Sequence, residues 1–183
     1  MDRNTALQLL HQYTETDSLR RHAYAVEAAM RAYAEKWNED VEKWGITGLL
    51  HDFDYEKFPE EHPYKGEKIL TEAGVDEDIR KAIMGHATYT GVPRESRMAK
   101  ALFAVDELCG FITAVTLVKP DKALSQVSAK SVKKKMKDKR FAAKVSREEM
   151  RQGAEELNLD FDSHVEFVVD ALKPVAGDLG LNP

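Results

Sequence analysis

One cysteine in 183 residues, Cys109, leaves the chain without any internal disulfide. Its fold must rest on packing, and a reducing compartment, the cytoplasm, is the expected location. No apolar run approaches the ~20 residues that cross a bilayer, so no membrane partner is expected. The opening Met-Asp-Arg-Asn-Thr lacks the apolar stretch of a secretory leader and runs straight into helix-forming sequence. Gly-x-Gly-x-x-Gly and Walker patterns are missing, which disfavours a nucleotide-binding α/β fold. No segment alternates convincingly as a strand, and neither repeats nor a low-complexity linker interrupt the chain.

What remains is a chain long enough to bury about two thirds of its unfolded surface, so a single compact domain over 1–183 is expected. Its formal charge of −5 is unevenly spread. Lys119 to Arg147 holds 11 Lys/Arg against Asp121 and Asp138, a net of +9, leaving −14 on the rest. Such a segment can serve phosphate or nucleic acid, or be a solvated helix face.

Helical periodicity dominates. Leu19, Ala23, Val26, Met30, Tyr33 and Trp37 recur in steps of three and four, with Asp17 or Ser18 able to cap the start. Val41, Trp44, Leu49 and Leu50 suggest a second helix ending near His51-Asp52-Phe53-Asp54-Tyr55. His62-Pro63 reads as a cap followed by proline at the first helical position, opening a segment that ends at Gly74. Asp76 starts another helix. After Gly91-Val92-Pro93, residues Ala99 to Val115 are the most apolar stretch and should form the central helix. Ser146-x-x-Glu149 and Ser163-x-x-Glu166 read as capping boxes opening the last two helices, and Pro174 should end the second. The fold class is all-α.

Ionisable residues stand out against this background: His22 in the first stripe, His51 and Asp52 at a helix end, Asp106 amid Phe103, Ala104, Val105 and Cys109. A carboxylate among such neighbours is expensive to bury unless it is paired. An arginine or a helix end could satisfy Asp106. So could a divalent ion shared with imidazoles from other helices.

A histidine, a His-Asp doublet and a distal aspartate, all on helices, resemble the signature of the HD superfamily of metal-dependent phosphohydrolases. Gly48-Leu49-Leu50-His51-Asp52 is similar to the family's run into its doublet, and Ala104-Val105-Asp106-Glu107-Leu108 to its final-aspartate helix. The resemblance covers about residues 18–118 and leaves a basic and helical C-terminal extension over 119–183. It implies an HD-type helical bundle whose His22, His51, Asp52 and Asp106 bind a divalent metal. His62 and His86 match positions of extra ligands in two-metal relatives, implying a second ion bridged by Asp52. Mixed His/Asp ligation suits Mn²⁺, Fe²⁺, Co²⁺, Ni²⁺ or Zn²⁺.

The doublet is followed by Phe53-Asp54-Tyr55 where many relatives have Ile-Gly-Lys, and Ala87 stands where the cyclic-dinucleotide phosphodiesterase branch has a second histidine, so that branch's specificity is not implied. The expected activity is hydrolysis of a small phosphorylated substrate, nucleotides included. Asp52 would orient the attacking water. Asp54 is a weaker candidate for positioning or proton transfer, and equally a solvated loop acid. Lys65, one turn from His62, and Lys133 are the expected substrate-binding cations. Competing readings are a regulatory module that binds a phosphorylated ligand without turnover and, ranked last, nucleic-acid binding through Lys130–Arg140, which lacks interleaved aromatics.

Overall fold

The computed structural model describes residues 1–183. It is built from nine α-helices without a named strand: α1 Arg3–Tyr13, α2 Asp17–Trp37, α3 Val41–Leu50, α4 Tyr64–Glu72, α5 Glu77–His86, α6 Arg97–Leu117, α7 Ala129–Met136, α8 Arg147–Glu156 and α9 Phe161–Leu172. Three short 3₁₀ turns follow α5, α6 and α9. No helix is long and apolar enough to cross a membrane.

The central helix is the one expected. In α6, 13 of 21 residues are buried, so it is apolar on nearly every side and needs neighbours on every side. It packs against α2, α3, α5, α7, α8 and α9. A single cluster of 42 buried apolar side chains draws from every helix, from Ala6 in α1 to Leu181 near the C-terminus. The C-terminal extension therefore shares its core with the segment that precedes it.

Local details correct several sequence expectations. Helix α2 is preceded by Thr16, not capped by Asp17 or Ser18, and its start is held from outside. Glu56 accepts hydrogen bonds from the Glu15 and Thr16 amides and the Thr16 hydroxyl. His62 does not cap α4, because its Nδ1 is committed to Asp54. Ser163 lies inside α9, whose cap is Asp160, and Glu166 instead accepts the Ala129 amide across to α7. The stronger acceptor three residues earlier takes the cap. Ser146 does cap α8, yet Glu149 closes no box and bonds Thr88. Pro174 falls in a 3₁₀ turn that prolongs α9.

The α2/α3 pair fixes the site. At Gly48 the two backbones approach so closely that a Cβ would stand 2.9 Å from the Val26 carbonyl oxygen and 3.0 Å from the Glu27 Cα. Glycine is required there for lack of space. Buried Glu27 is neutralised on the same interface by Arg3 at 2.7 Å and Arg31 at 2.9 Å. Gly48→Ala is expected to force α3 off α2 and lower stability by about 1–3 kcal/mol, read from the urea midpoint. An unchanged midpoint would contradict the close approach.

His164 of α9 ties that helix to the centre. Its Nε2–H donates to the Ala104 carbonyl at 2.9 Å and its Nδ1 accepts the Tyr33 hydroxyl at 2.5 Å. Burial lowers its pKa, so the folded chain keeps it neutral. The unfolded chain binds a proton there near the ordinary value of about 6.5. The unfolded state thus holds more protons below that pH, and stability falls with falling pH. The stability difference between wild type and His164→Gln is expected to shrink from pH 7 to pH 5. A constant difference would refute the assignment.

Candidate metal centre

Four helices deliver the ligand set. His22 comes from the first turns of α2, His51 caps the C-terminus of α3 with Asp52 following it, His86 ends α5, and Asp106 projects from the middle of α6. His62 comes from the loop between α3 and α4. The ligand atoms of His22, His51, Asp52 and Asp106 all lie within 4.8 Å of one another, as do those of Asp52, His62 and His86. Asp52 belongs to both groups. All six metal-ligand candidates read from the sequence are thus brought to one place.

The hydrogen bonds around the ring fix the imidazole tautomers. His51 Nδ1 donates to the Gly48 carbonyl at 2.7 Å, His86 Nδ1 to the Ile83 carbonyl, and His62 Nδ1 to Asp54 Oδ1 at 2.7 Å. In each neutral ring the Nε2 lone pair is left facing inward. His51 Nε2 is fully buried and makes no hydrogen bond, although Asp52 Oδ2 and Asp106 Oδ1 each stand 3.3 Å away. The Nε2 atoms of His86 and His62 lie 3.2 and 3.3 Å from Asp52 Oδ1, and His22 Nε2 lies 3.0 Å from Asp106 Oδ1.

Lone pairs converging on lone pairs repel unless something positive sits between them. Asp52 and Asp106 still titrate well below the usual carboxylate range. Burial opposes this, but the His51 charge and contacts from His51, and from His86 and His22 respectively, outweigh it. Conversely, burial pushes the His51 and His86 imidazoles down, and the same carboxylates lift them above their ordinary value. Without metal, protons provide the missing charge. A divalent ion in either group of ligand atoms would supply it, and the mixed N and O donors suit such an ion.

Asp54 is 1% exposed, which corrects the view of it as a solvated loop acid. One carboxylate oxygen takes the His62 proton and the other accepts the Gly66 amide at 2.7 Å. A Cβ on Gly66 would stand 2.8 Å from that carboxylate. Asp54 is therefore a positioning residue for His62.

The centre opens into a cleft of about 490 Å³ whose lining, beyond the candidate ligands, includes Tyr55, Thr88, Tyr89, Glu107, Lys144 and Glu149. The Tyr89 hydroxyl donates to the His62 carbonyl at 2.7 Å, holding an otherwise exposed ring at the rim. Burial, then the Asp106 charge, push the Glu107 carboxyl up to about 7 against the pull of the Ser146 amide it accepts. Lys65 and Lys133 do not line this cleft. The Lys65 ammonium lies over the Phe58 ring at 5.2 Å, and Lys133 is paired with Asp162 at 2.6 Å. Sequence reasoning singled out none of the cleft walls. Glu107 had a signal, a second acid beside Asp106 in an apolar helix, whereas nothing separates Lys144 from the other lysines of its segment.

Among known families, the model described as the HD domain matches residues 19–109. No curated protein and no solved structure matches the chain.

Metal-stripped protein is expected to gain about 5–10 °C in melting temperature at a hundredfold excess of Mn²⁺ over its dissociation constant. Asp52→Ala, which removes the ligand common to both groups, is expected to lose that response while remaining helical by circular dichroism. An equal metal-induced shift in the variant would show that the cation binds elsewhere.

Proposed function

We propose, from the premise that this chain belongs to the HD-domain family through residues 19–109, that it is a metal-dependent phosphohydrolase acting on a small phosphoester. The observation that carries the reading is the inward convergence of the Nε2 lone pairs of His51, His62 and His86 on Asp52 and Asp106, each ring locked by its Nδ1–H. A purely structural cluster would have no reason to fix three tautomers toward one centre.

His22, His51, Asp52 and Asp106 would hold one divalent ion, and His62 and His86 a second, with Asp52 between them. Such ions supply Lewis acidity, making water nucleophilic near neutral pH and offsetting charge on phosphoryl oxygens. Asp52, whose side chain is 28% exposed, has an edge toward the cleft from which to orient the attacking water. The water oxygen bonds to phosphorus as the bond to the ester oxygen breaks, and the departing alcohol ends with the proton. Asp54 keeps His62 in register, and the walls of the cleft limit the substrate to a small molecule.

Metal content followed by turnover tests this reading. Protein loaded with Mn²⁺, Fe²⁺, Co²⁺, Ni²⁺ or Zn²⁺ is expected to hold two equivalents and to hydrolyse members of a panel of phosphomonoesters, phosphodiesters and nucleotides. Asp54→Asn is expected to lower metal affinity or rate about 10- to 100-fold through His62. Metal-loaded, folded protein that turns over no phosphoester would leave a regulatory module that binds without chemistry.

A further inference from the structure

The cleft wall contributed from outside the matched HD segment contains one cation. Residues 137–146 link α7 to α8, and of this linker Lys144 and Val145 line the cleft, followed by Glu149 from α8. Every other ionisable group there is a metal-ligand histidine, a tyrosine or an acid: Asp52, Asp106, Glu107 and Glu149. Lys144 is exposed and enters no ion pair, in contrast to Lys133 of the same basic segment.

The linker that presents Lys144 is held firmly. The Arg147 guanidinium donates to the carbonyls of Ala142 at 2.7 Å, Val145 at 2.8 Å and Asp138 at 3.1 Å, and also to that of Phe141. Its face lies 4.8 Å from the Phe111 ring of α6. One half-buried cation thus gathers four carbonyls of the linker and pins them to the helix that bears Asp106. The Ser146 amide adds a bond of 2.8 Å to Glu107. The Thr88 hydroxyl, also in the lining, donates to Glu149 at 3.2 Å. The backbone that carries Lys144 is fixed before any ligand arrives, which reduces the ordering a ligand must impose.

We infer that Lys144 is the side chain that binds the phosphoryl group, and that the C-terminal extension completes the site by delivering it. This rests on the reading of the cleft as a phosphoester site. A phosphoryl group entering past Glu107 and Glu149 finds acidic neighbours, and Lys144 alone among the lining residues offers the chain's own positive charge to an oxygen facing the mouth. One lysine accounts for one phosphoryl group of the substrate, the one presented to the centre.

Isothermal titration of inorganic phosphate into the Mn²⁺-loaded full chain reads this directly, with no need for turnover. Lys144→Gln is expected to weaken phosphate binding about 10-fold or more, the effect of one lost charge-assisted hydrogen bond, with metal content unchanged. Lys144→Arg should restore most of the affinity. Lys139→Gln, an equal loss of charge on the same linker but outside the cleft, should leave binding unaltered. With 4-nitrophenyl phosphate as substrate, Lys144→Gln should raise KM more than it lowers kcat.

Lys144-dependent phosphate binding without hydrolysis would support the inference and overturn the hydrolase reading. Turnover with phosphate affinity and KM unchanged in Lys144→Gln would overturn the inference and leave that reading standing. Equal weakening by Lys139→Gln would overturn it in favour of a diffuse field. Wild-type protein that binds no phosphate would overturn it outright.

Discussion

Asp52 and Asp106 must stay ionised side by side and half-buried at the floor of a cleft, and the architecture around α6 follows from that requirement. A buried carboxylate either takes up a proton or is compensated. Here compensation comes from imidazoles on α2, α3 and α5 and from the loop before α4, each brought by a different element. His22 can donate its Nε2–H to Asp106 as a neutral ring, but His51, His86 and His62 cannot do the same, since their inward nitrogens carry lone pairs and their outward N–H groups are already spent on the Gly48 and Ile83 carbonyls and on Asp54. Among these three, positive charge is required, as protons or as metal. The close contact of α2 with α3 at Gly48 matters for the same reason. The carbonyl of that glycine orients His51, so one residue sets both the helix spacing and a ligand's direction.

Asp54 shows how the arrangement extends outward. It is as buried as the ligands' own anchors, and its two oxygens divide between His62 and the Gly66 amide. Gly66 is one turn into the region that follows His62, so Asp54 staples the start of α4 to the ring it orients. Substituting a larger residue at Gly66 would press on the carboxylate and, through it, on His62.

Much of this was legible in the sequence, for physical reasons that differ from residue to residue. Asp106 could be read because an acid amid Phe103, Val105 and Cys109 has no cheap structural use, and α2 and α6 could be read from the apolar stripe of the first and the long, nearly continuous apolar character of the second. His62 is legible as a candidate ligand only through family resemblance. By local rules it reads as a cap, because the partner that claims its Nδ1 is reached through a loop fold that no spacing announces. The Ser163 box failed for a related reason. Two cap-type residues stand three apart, the carboxylate of Asp160 takes the cap as the stronger acceptor, and Glu166 is left to bond the Ala129 amide of α7. Lys65 and Lys133 were chosen for proximity in sequence or for charge density. The ring of Phe58 and the carboxylate of Asp162, which hold them in place, are features of packing.

The basic segment gains meaning from this packing and not from its charge. Its lysines diverge, Lys133 toward Asp162 and Lys135 over Phe141, so the +9 read from the sequence does not add up to one surface. What distinguishes Lys144 is the reference frame. Asp106 and Phe111 stand on the same helix little more than one turn apart, the first facing the ligand centre and the second taking the Arg147 guanidinium on its ring. A shift of α6 along its axis would therefore carry the ligand and the linker together. Lys144 is held to α6 through Arg147 and Phe111, and Tyr89 is held to the His62 carbonyl, so both parts of the cleft lining are tied to elements that carry candidate ligands, and the extension beyond residue 119 supplies one of them.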